Sequence, residues 1–428
     1  MHLFALALTL AQAIDYAMSH NVTVAQQQGL VAQAQSQYVR ARAQTLPPVQ
    51  GQLQNQMQKS QNYSNYSIIG APGQSIFSQN SVSLGTTYTF NGGLAFFQSL
   101  LAKQQLEQAR ANLAQTQKQV TDSVTDAYFG LAGKYETVRL DEGDLAYQTE
   151  LLRVAQAKES AGVAAGVDVL SARAAQERSR FTLESAQADT ENSRESLAQS
   201  IGAPLGTQFG IPANVPQPPL PGQGLDALMS IAQSNRPEIA SALDGVAIAR
   251  TNRRSADTDL YPQIQTFAQI GNQFSPTLAA QANAPRGTPG YWLLGVTSTI
   301  TLPLVDWGTR AENHRNLNEQ IAVAQTTLDS TRGQVELDVR QEYRAALTAL
   351  AQLASAQQES RYAVEAARVA QLQYAHGVIT LVDVQQRQQS ALSAQADLYN
   401  ARVAYADAVV KLRVALGIYD PHSAVADL

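Results

Sequence analysis

Residues 162–170 read GVAAGVDVL, and residues 377–385 read GVITLVDVQ. Each interrupts a long Ala/Gln-rich stretch with helical spacing. The shared frame G-V-x-x-x-V-D-V recurs at an offset of 215 residues, from Gly162 to Gly377. Glycine permits the left-handed backbone on which one helix ends and the chain turns back. In the second stretch, Thr380-Leu381-Val382-Asp383 has the form of a capping box, with Thr380 as N-cap and Asp383 at N3. The two stretches therefore predict the tips of two long helical hairpins.

The same offset relates much of the chain. Pro47 pairs with Pro262, Gln119 with Gln334, Tyr128 with Tyr343, Asp168 with Asp383 and Gly202 with Gly417. Asn21 pairs with Asn235 one residue short of it, which implies an indel. The chain reads as one unit used twice. The first repeat is 1–202 and the second 223–418, joined by the Pro-rich linker APLGTQFGIPANVPQPPLPG at 203–222 and followed by a tail at 419–428. In each repeat a helix comes first, at 11–45 and 224–256, stopped at Pro47-Pro48 and Tyr261-Pro262 because the residue before proline avoids the helical region. Two extended segments follow, at 49–58 and 82–90, then 263–271 and 293–304. A very long helix comes next, at 94–160 and 309–375. After the tip a final helix runs over 167–200 and 382–416, with Gly202 and Gly417 placed as C-caps.

The long helices carry a seven-residue rhythm. Leu106, Leu113, Val120 and Ala127 are seven apart, Val124 and Leu131 sit four beyond, and Ile321, Leu328 and Val335 hold the same places in the second copy. Such a period makes helices coil around neighbours, and a helix of this length reaches about 100 Å. An ordinary coiled-coil rod would carry the same rhythm.

The extended segments alternate. Val49, Gly51, Leu53, Asn55 and Met57 interleave with glutamines, and Val82, Leu84, Thr86, Tyr88 and Phe90 with Ser83, Gly85 and Thr87. Each segment is about the length of a tilted strand crossing a bilayer. The pattern fits a small soluble sheet over helices as well as membrane strands. Tyr88, Phe90, Tyr291, Trp292 and Trp307 near the strand ends have the character of an interfacial aromatic belt and favour the membrane. Four such strands cannot close a barrel, which needs about eight, and an open edge cannot face lipid. Several chains would have to share one barrel.

Composition agrees. Charged residues are 15% of 428, against roughly 25% in ordinary soluble domains, and Gln, Ala, Ser, Thr and Asn fill the gap. The net charge of -5 argues against nucleic acid as a partner. There is no cysteine, hence no disulfide and no thiolate metal site. Histidines 2, 20, 314, 376 and 422 lack metal-ligand spacing, and no nucleotide-binding or nucleophile-elbow motif appears. An enzyme is not expected, and no cofactor or metal is implied. The acidic cluster Asp141-Glu142-Gly143-Asp144 reads as a solvated helix face. No apolar run is long enough for a membrane helix. The start MHLFALALTLAQA has an apolar run and an Ala11-Gln12-Ala13 site like a signal peptide, but no Lys or Arg precedes the run, and Ala13–Asn21 matches the second repeat. The expectation is a mature helix whose signal peptide is missing or truncated.

The doubled order of helix, strand, strand, long helix, tip and helix resembles the TolC family of outer-membrane efflux ducts. So do the two tips, TFNGG at 89–93 with LVDWG at 304–308, and TLPPV with LYPQI. The resemblance covers essentially the whole chain. It implies a mainly α fold with a membrane β part: a homotrimer whose long hairpins form an α-barrel in the periplasm, with four strands per chain in a shared twelve-stranded β-barrel in outer-membrane lipid. It also implies docking to a periplasmic adaptor and to an inner-membrane pump of RND or ABC type, or service in type I secretion, with tips that close the tunnel and open when engaged. Residue by residue, Tyr374 matches a tyrosine of the entrance constriction, Asp383 an aspartate ringing the entrance, and Asp168 the partner aspartate on the other hairpin. Gly162, Val163, Gly377 and Val378 match the adaptor-contact tips. Ile379 stands where some members carry a gating arginine, and Gln386 where they carry a second acidic ring, so the closing network differs here. The alternative is a coiled-coil structural or surface protein without a channel. A rod has no use for paired strands at matching points of both halves, which speaks against it.

Overall fold

In a computed structural model the described residues are 8–61, 74–162, 165–211, 217–274, 291–302, 304–376 and 378–418. They fold into helices and one antiparallel sheet. In chain order these are α1 (Leu10–His20), α2 (Val22–Ala43), β1 (Val49–Gln61), β2 (Gln74–Asn91), α3 (Leu94–Ser160), α4 (Gly166–Ile201), α5 (Leu225–Asn235), α6 (Pro237–Ala256), β3 (Gln263–Phe274), β4 (Tyr291–Thr301), α7 (Thr309–Ala375) and α8 (Leu381–Ala415). A turn of 3-10 helix, Asp257–Leu260, follows α6. Both long helices span 67 residues, at the bounds the sequence predicts. β4 stops at Thr301, short of the expected 304.

The single first helix expected in each repeat is two. α1 closes when Asn21 turns extended (ψ 128°) while its N–H still donates to the Ala17 carbonyl. The Asn21 side chain then accepts from Thr23 N–H at 2.8 Å and starts α2. In the second repeat Arg236 breaks the helix (ψ 123°) because it precedes Pro237, which opens α6 at the first helical position. Asn21 and Arg236 are thus equivalent at the full offset of 215, which removes the indel inferred from Asn235. Both reach the end of the closing helix. Asn21 Nδ2 donates to Ser200 O at 2.8 Å, and an Arg236 guanidinium nitrogen to Ala415 O at 3.2 Å. Ser200 and Ala415 are themselves 215 apart.

By contacts the chain forms two compact units. One contains Gln108–Leu243 and the chain segments up to Val31 and from Thr327 onward. The other contains Ala32–Glu107 and Asp244–Thr326. Each unit draws on both repeats.

The first unit has the main core. Leu10, Ala13, Ile14 and Ala17 of α1 meet Val24 of α2, Val120, Val124 and Leu131 of α3, Leu197 and Ile201 of α4, and Val410 and Val414 of α8. Burying each large aliphatic side chain contributes about 2 kcal/mol. Positions of the predicted heptad are inside it: Val120, Val124 and Leu131 here, with Leu328 and Val335 of α7 also buried. Ala11-Gln12-Ala13, the stretch like a cleavage site, lies within α1. The described ends of the Pro-rich linker are fastened. Phe209 is buried, Gly210 O accepts from Leu8 N–H at 2.8 Å, and Pro218 O accepts from the Tyr405 hydroxyl at 2.9 Å. Gly202 and Gly417 both adopt φ 77°. A Cβ at Gly202 would meet His20 O at 2.5 Å, and one at Gly417 the Asn235 backbone at 2.9 Å. These close approaches, together with the left-handed turn, require glycine.

The second unit holds the sheet, in the order β1-β2-β3-β4. Register sets the faces. Leu53 lies opposite Val82, Leu84 opposite Ile270, Ile270 opposite Leu294, Phe90 opposite Ile264, and Ile264 opposite Ile300. Directly opposed residues share a face, so one face collects most of the aliphatic and aromatic residues. The other carries Gln50, Gln52, Gln54, Ser81, Ser83, Thr87, Gln265, Gln269, Thr297 and Thr299, interrupted by Phe267, Leu293 and Tyr291. The apolar face is open: Leu53 is 86% exposed and Leu294 77%. Among the described residues β1 pairs only with β2, and β4 only with β3. No helix among the described residues is long and apolar enough to cross a membrane.

Candidate functional site

The hairpin tips lie in the first unit. α3 ends as Gly162 turns left-handed (φ 74°), its N–H donating to Glu159 O at 2.8 Å. A Cβ there would meet nothing within 4 Å, so this glycine serves the turn alone. α4 begins at Gly166 behind Ala165, an N-cap with no side-chain hydrogen bond. At the other tip Val378 N–H donates to Gln373 O at 2.9 Å, and its side chain is exposed. Thr380 then caps α8. Its hydroxyl oxygen accepts from Asp383 N–H at 3.3 Å, and Asp383 Oδ2 accepts from Thr380 N–H at 3.1 Å and from its hydroxyl at 2.6 Å. The expected capping box is formed. Val163 and Gly377 lie outside the described residues.

Small residues bring the helices of each hairpin close. Ala155 of α3 and Ala172 of α4 pack with Leu152 and Val169, and Ala363 and Ala367 of α7 pack with Ala391 and Ala394 of α8. Thr149 in α3 also accepts from Gln176 of α4 at 2.9 Å. The acidic cluster in α3 departs from its solvated reading. Asp144 accepts from Ser179 of α4 and from Gln148, and Asp141 is half-buried, so that desolvation and the Asp144 charge raise its pKa.

Tyr374 and Asp168 come together. Burial raises the Tyr374 phenol above its ordinary 10.0, and the Asp168 charge raises it further. A third residue, which the sequence reading missed, joins them. Lys158, in the last turn of α3, donates to Tyr374 O at 3.2 Å and places its ammonium 3.6 Å from the centre of the Tyr374 ring. A cation over a tyrosine face contributes about 0.5–1 kcal/mol at such partly exposed sites. Lys158 therefore ties the end of the first hairpin's outgoing helix to the end of the second's. A lone basic residue in the last turn of a helix was the available signal.

Asp383 lines an open groove of about 940 Å³ between α7 and α8 with Arg361, Tyr362, Glu365, Ile379 and Arg387. Hydrogen bonds from the Thr380 hydroxyl and backbone, with a smaller effect from Arg387, hold its carboxyl below its ordinary 3.8. Among the described residues no group of histidines and carboxylates is arranged to hold a metal ion. The described residues of the tips offer polar and charged surface around a left-handed turn.

The chain resembles several known proteins. It is 26% identical over 326 residues, 73% of its length, to a protein named probable efflux pump outer membrane protein TtgC, from Pseudomonas putida, and spans 62% of that curated relative's length. Its fold matches the CmeC outer membrane channel of Campylobacter jejuni with a TM-score of 0.80 at 19% identity, over 95% of this chain and 85% of that one. It matches the MtrE outer membrane channel of Neisseria gonorrhoeae, solved in an open state, with a TM-score of 0.78 at 21% identity, over 96% and 90%. The sequence profile of the outer membrane efflux proteins matches twice, over residues 13–203 and 228–418, the two matches offset by the 215 residues that separate the tips. With a doubled fold and a doubled profile across most of its length, the chain belongs to the outer membrane efflux protein family.

Proposed function

We propose that the chain is an outer-membrane exit duct, a passive conduit of a tripartite efflux pump or type I secretion system, working as a homotrimer. The sheet carries this reading. Among the described residues it has one exposed, largely apolar face, one largely Gln/Ser/Thr face, and two edges without a further strand partner, β1 and β4, that run in opposite directions. Opposed edges on identical copies can pair head to tail and close a ring. Closure takes about eight strands, so at least two copies are needed. Three copies give the twelve-stranded barrel that the family resemblance implies. Its apolar face meets outer-membrane lipid and its polar face lines water. The relatives' names, outer membrane channel and efflux pump outer membrane protein, support the same role.

In this reading the repeats at 1–202 and 223–418 each give one long hairpin to a periplasmic tunnel. Tyr374 and Asp168 narrow its entrance, held by Lys158. Three copies of Asp383 make a negative, cation-attracting ring, while each caps its own helix. The tips at Gly162-Val163 and Gly377-Val378 meet a periplasmic adaptor, and an RND or ABC transporter drives the cargo. Nothing favours the coiled-coil rod, since an uncovered apolar sheet face has no place in one.

Two experiments test this. In planar bilayers, Asp383→Asn should raise conductance in the presence of divalent cations and weaken their block. Unchanged conductance and block would remove the ring. In cells, Gly162→Trp and Val378→Trp should abolish efflux with oligomers intact, and normal efflux in both would show that the tips do not dock.

A further inference from the structure

We infer that Phe267 builds a stacking shelf for flat aromatic molecules on the water-facing side of the sheet. The inference rests on the barrel reading above and adds a class of cargo to it. β3 and β1 correspond at the repeat offset: Gln265 to Gln50, Phe267 to Gln52 and Gln269 to Gln54. The polar row therefore reads Gln-Gln-Gln in one strand and Gln-Phe-Gln in the other. Phe267 stands directly opposite Thr87 of β2 and Thr297 of β4, so its side chain shares their face. It is 37% exposed. A phenyl ring is thus kept partly in water, at a position where the other repeat carries an amide.

The neighbours fix where the ring lies. A Cβ built on Gly85 would lie 3.5 Å from Phe267 Cε2. Gly85 is opposite Gln269, so it sits diagonally across from Phe267. The ring leans over the bare backbone of β2. On the other flank Gly295 of β4 is also opposite Gln269, and a Cβ there would meet nothing within 4 Å. Gly85 gives the ring a seat, and Gly295 leaves the space beside it open. Thr297, which is exposed, and Gln269, which is half-buried, border that space. The result is an aromatic face, a floor of backbone and two hydrogen-bonding side chains at the rim.

Such a surface suits a flat aromatic molecule with polar groups at its edge. Aromatic rings pair in offset or edge-on contact, and a positive charge on the guest adds attraction to the ring face. The hydroxyl of Thr297 and the amide of Gln269 both donate and accept, so they serve the guest's edge. A hydrated metal ion gains little from a phenyl ring. Three copies place three shelves at one level of the barrel. Each contact is weak, which a conduit requires, because a guest must leave as readily as it enters.

The protein reconstituted in planar bilayers tests this. Ethidium should block the potassium current at lower concentration than tetraethylammonium, which has the same charge and no ring. Phe267→Gln, which matches Gln52, should raise the half-blocking concentration of ethidium roughly three- to tenfold and leave tetraethylammonium block unchanged. Phe267→Tyr should keep ethidium block, and Phe267→Leu should lose it as Phe267→Gln does. Gly295→Thr keeps the ring and fills the space beside it, so it should also weaken ethidium block. Should the Phe267 variants fail to insert, undiminished block in Gly295→Thr would by itself overturn the shelf. Equal ethidium block in wild type and Phe267→Gln, or full block in Phe267→Leu, would overturn it and leave the barrel standing. A lowered melting temperature in Phe267→Gln with block unchanged would make the ring a cover for Gly85, against the inference. If the wild-type protein opens no channel, the barrel reading fails and the shelf with it.

Discussion

The two hairpin tips occupy equivalent places and are fastened by different chemistry. Ala165 and Thr380 are the same position, both N-caps, and Asp168 and Asp383 are the same N3 residue. Thr380 has a hydroxyl, so Asp383 is engaged in a reciprocal box within its own hairpin. Ala165 has none, so Asp168 cannot complete a box and instead exerts its charge on Tyr374. Duplication preserved the backbone turn, while single side chains divided the work. One tip is capped locally. The other is tied, through Lys158 and Tyr374, to its neighbour.

The largest effect should come from breaking what the repeats share. Gly202→Ala and Gly417→Ala each add left-handed strain, roughly 1–2 kcal/mol, to a backbone collision. We expect each to lose about 2–3 kcal/mol in denaturant unfolding. Gly162→Ala, with similar φ and open space, should lose only about 1 kcal/mol. Equal losses at all three would mean that the close approaches at Gly202 and Gly417 carry no weight.

Exchanging the caps should come next. Thr380→Ala should destabilise its tip by about 1 kcal/mol, and Ala165→Ser should stabilise the other by roughly 0.5–1 kcal/mol. Hydrogen exchange of the first-turn amides of α4 and α8 reads both. Slower exchange at α8 in Thr380→Ala would contradict the capping account.

Acid should separate the tips further. The Asp383 carboxyl is depressed below 3.8 in the folded chain, so its contribution is present above 3.8 and is lost as pH falls through the lower folded value. The α8 tip should loosen there, and Asp383→Asn should remove that pH response.

The smallest effect on stability belongs to Lys158→Met, about 0.5–1 kcal/mol. It should nevertheless raise the open probability of single channels, because Tyr374 loses its tie to α3. An unchanged open probability would reduce Lys158 to a helix-end contact.

Much of the fold was legible because it was written twice. Two copies of each landmark set the bounds of α3 and α7 to the residue, and alternation in the strands gave the faces that the register shows. What escaped has local causes. The breaks at Asn21 and Arg236 came from an Asn that caps through its side chain and from a proline whose preceding residue was not read as a stop. The spurious indel at Asn235 came from matching asparagines by identity, where the structure matches Asn21 to Arg236 by the carbonyl that each one serves. Arg236 is 4% exposed and lies 3.0 Å from both Asp338 and Glu238, though its Nε is misaligned for a hydrogen bond to the latter. A sequence shows such an arginine only as one more charge. Lys158 escaped because its partner Tyr374 lies 216 residues away.

The central claim is that identical copies close the sheet into one barrel. Single-particle electron microscopy of protein extracted in detergent tests it most directly. The account predicts three-fold particles with a detergent belt around the sheet, and with β4 of each copy paired to β1 of the next. Monomers, or helical rods without a belt, would contradict it.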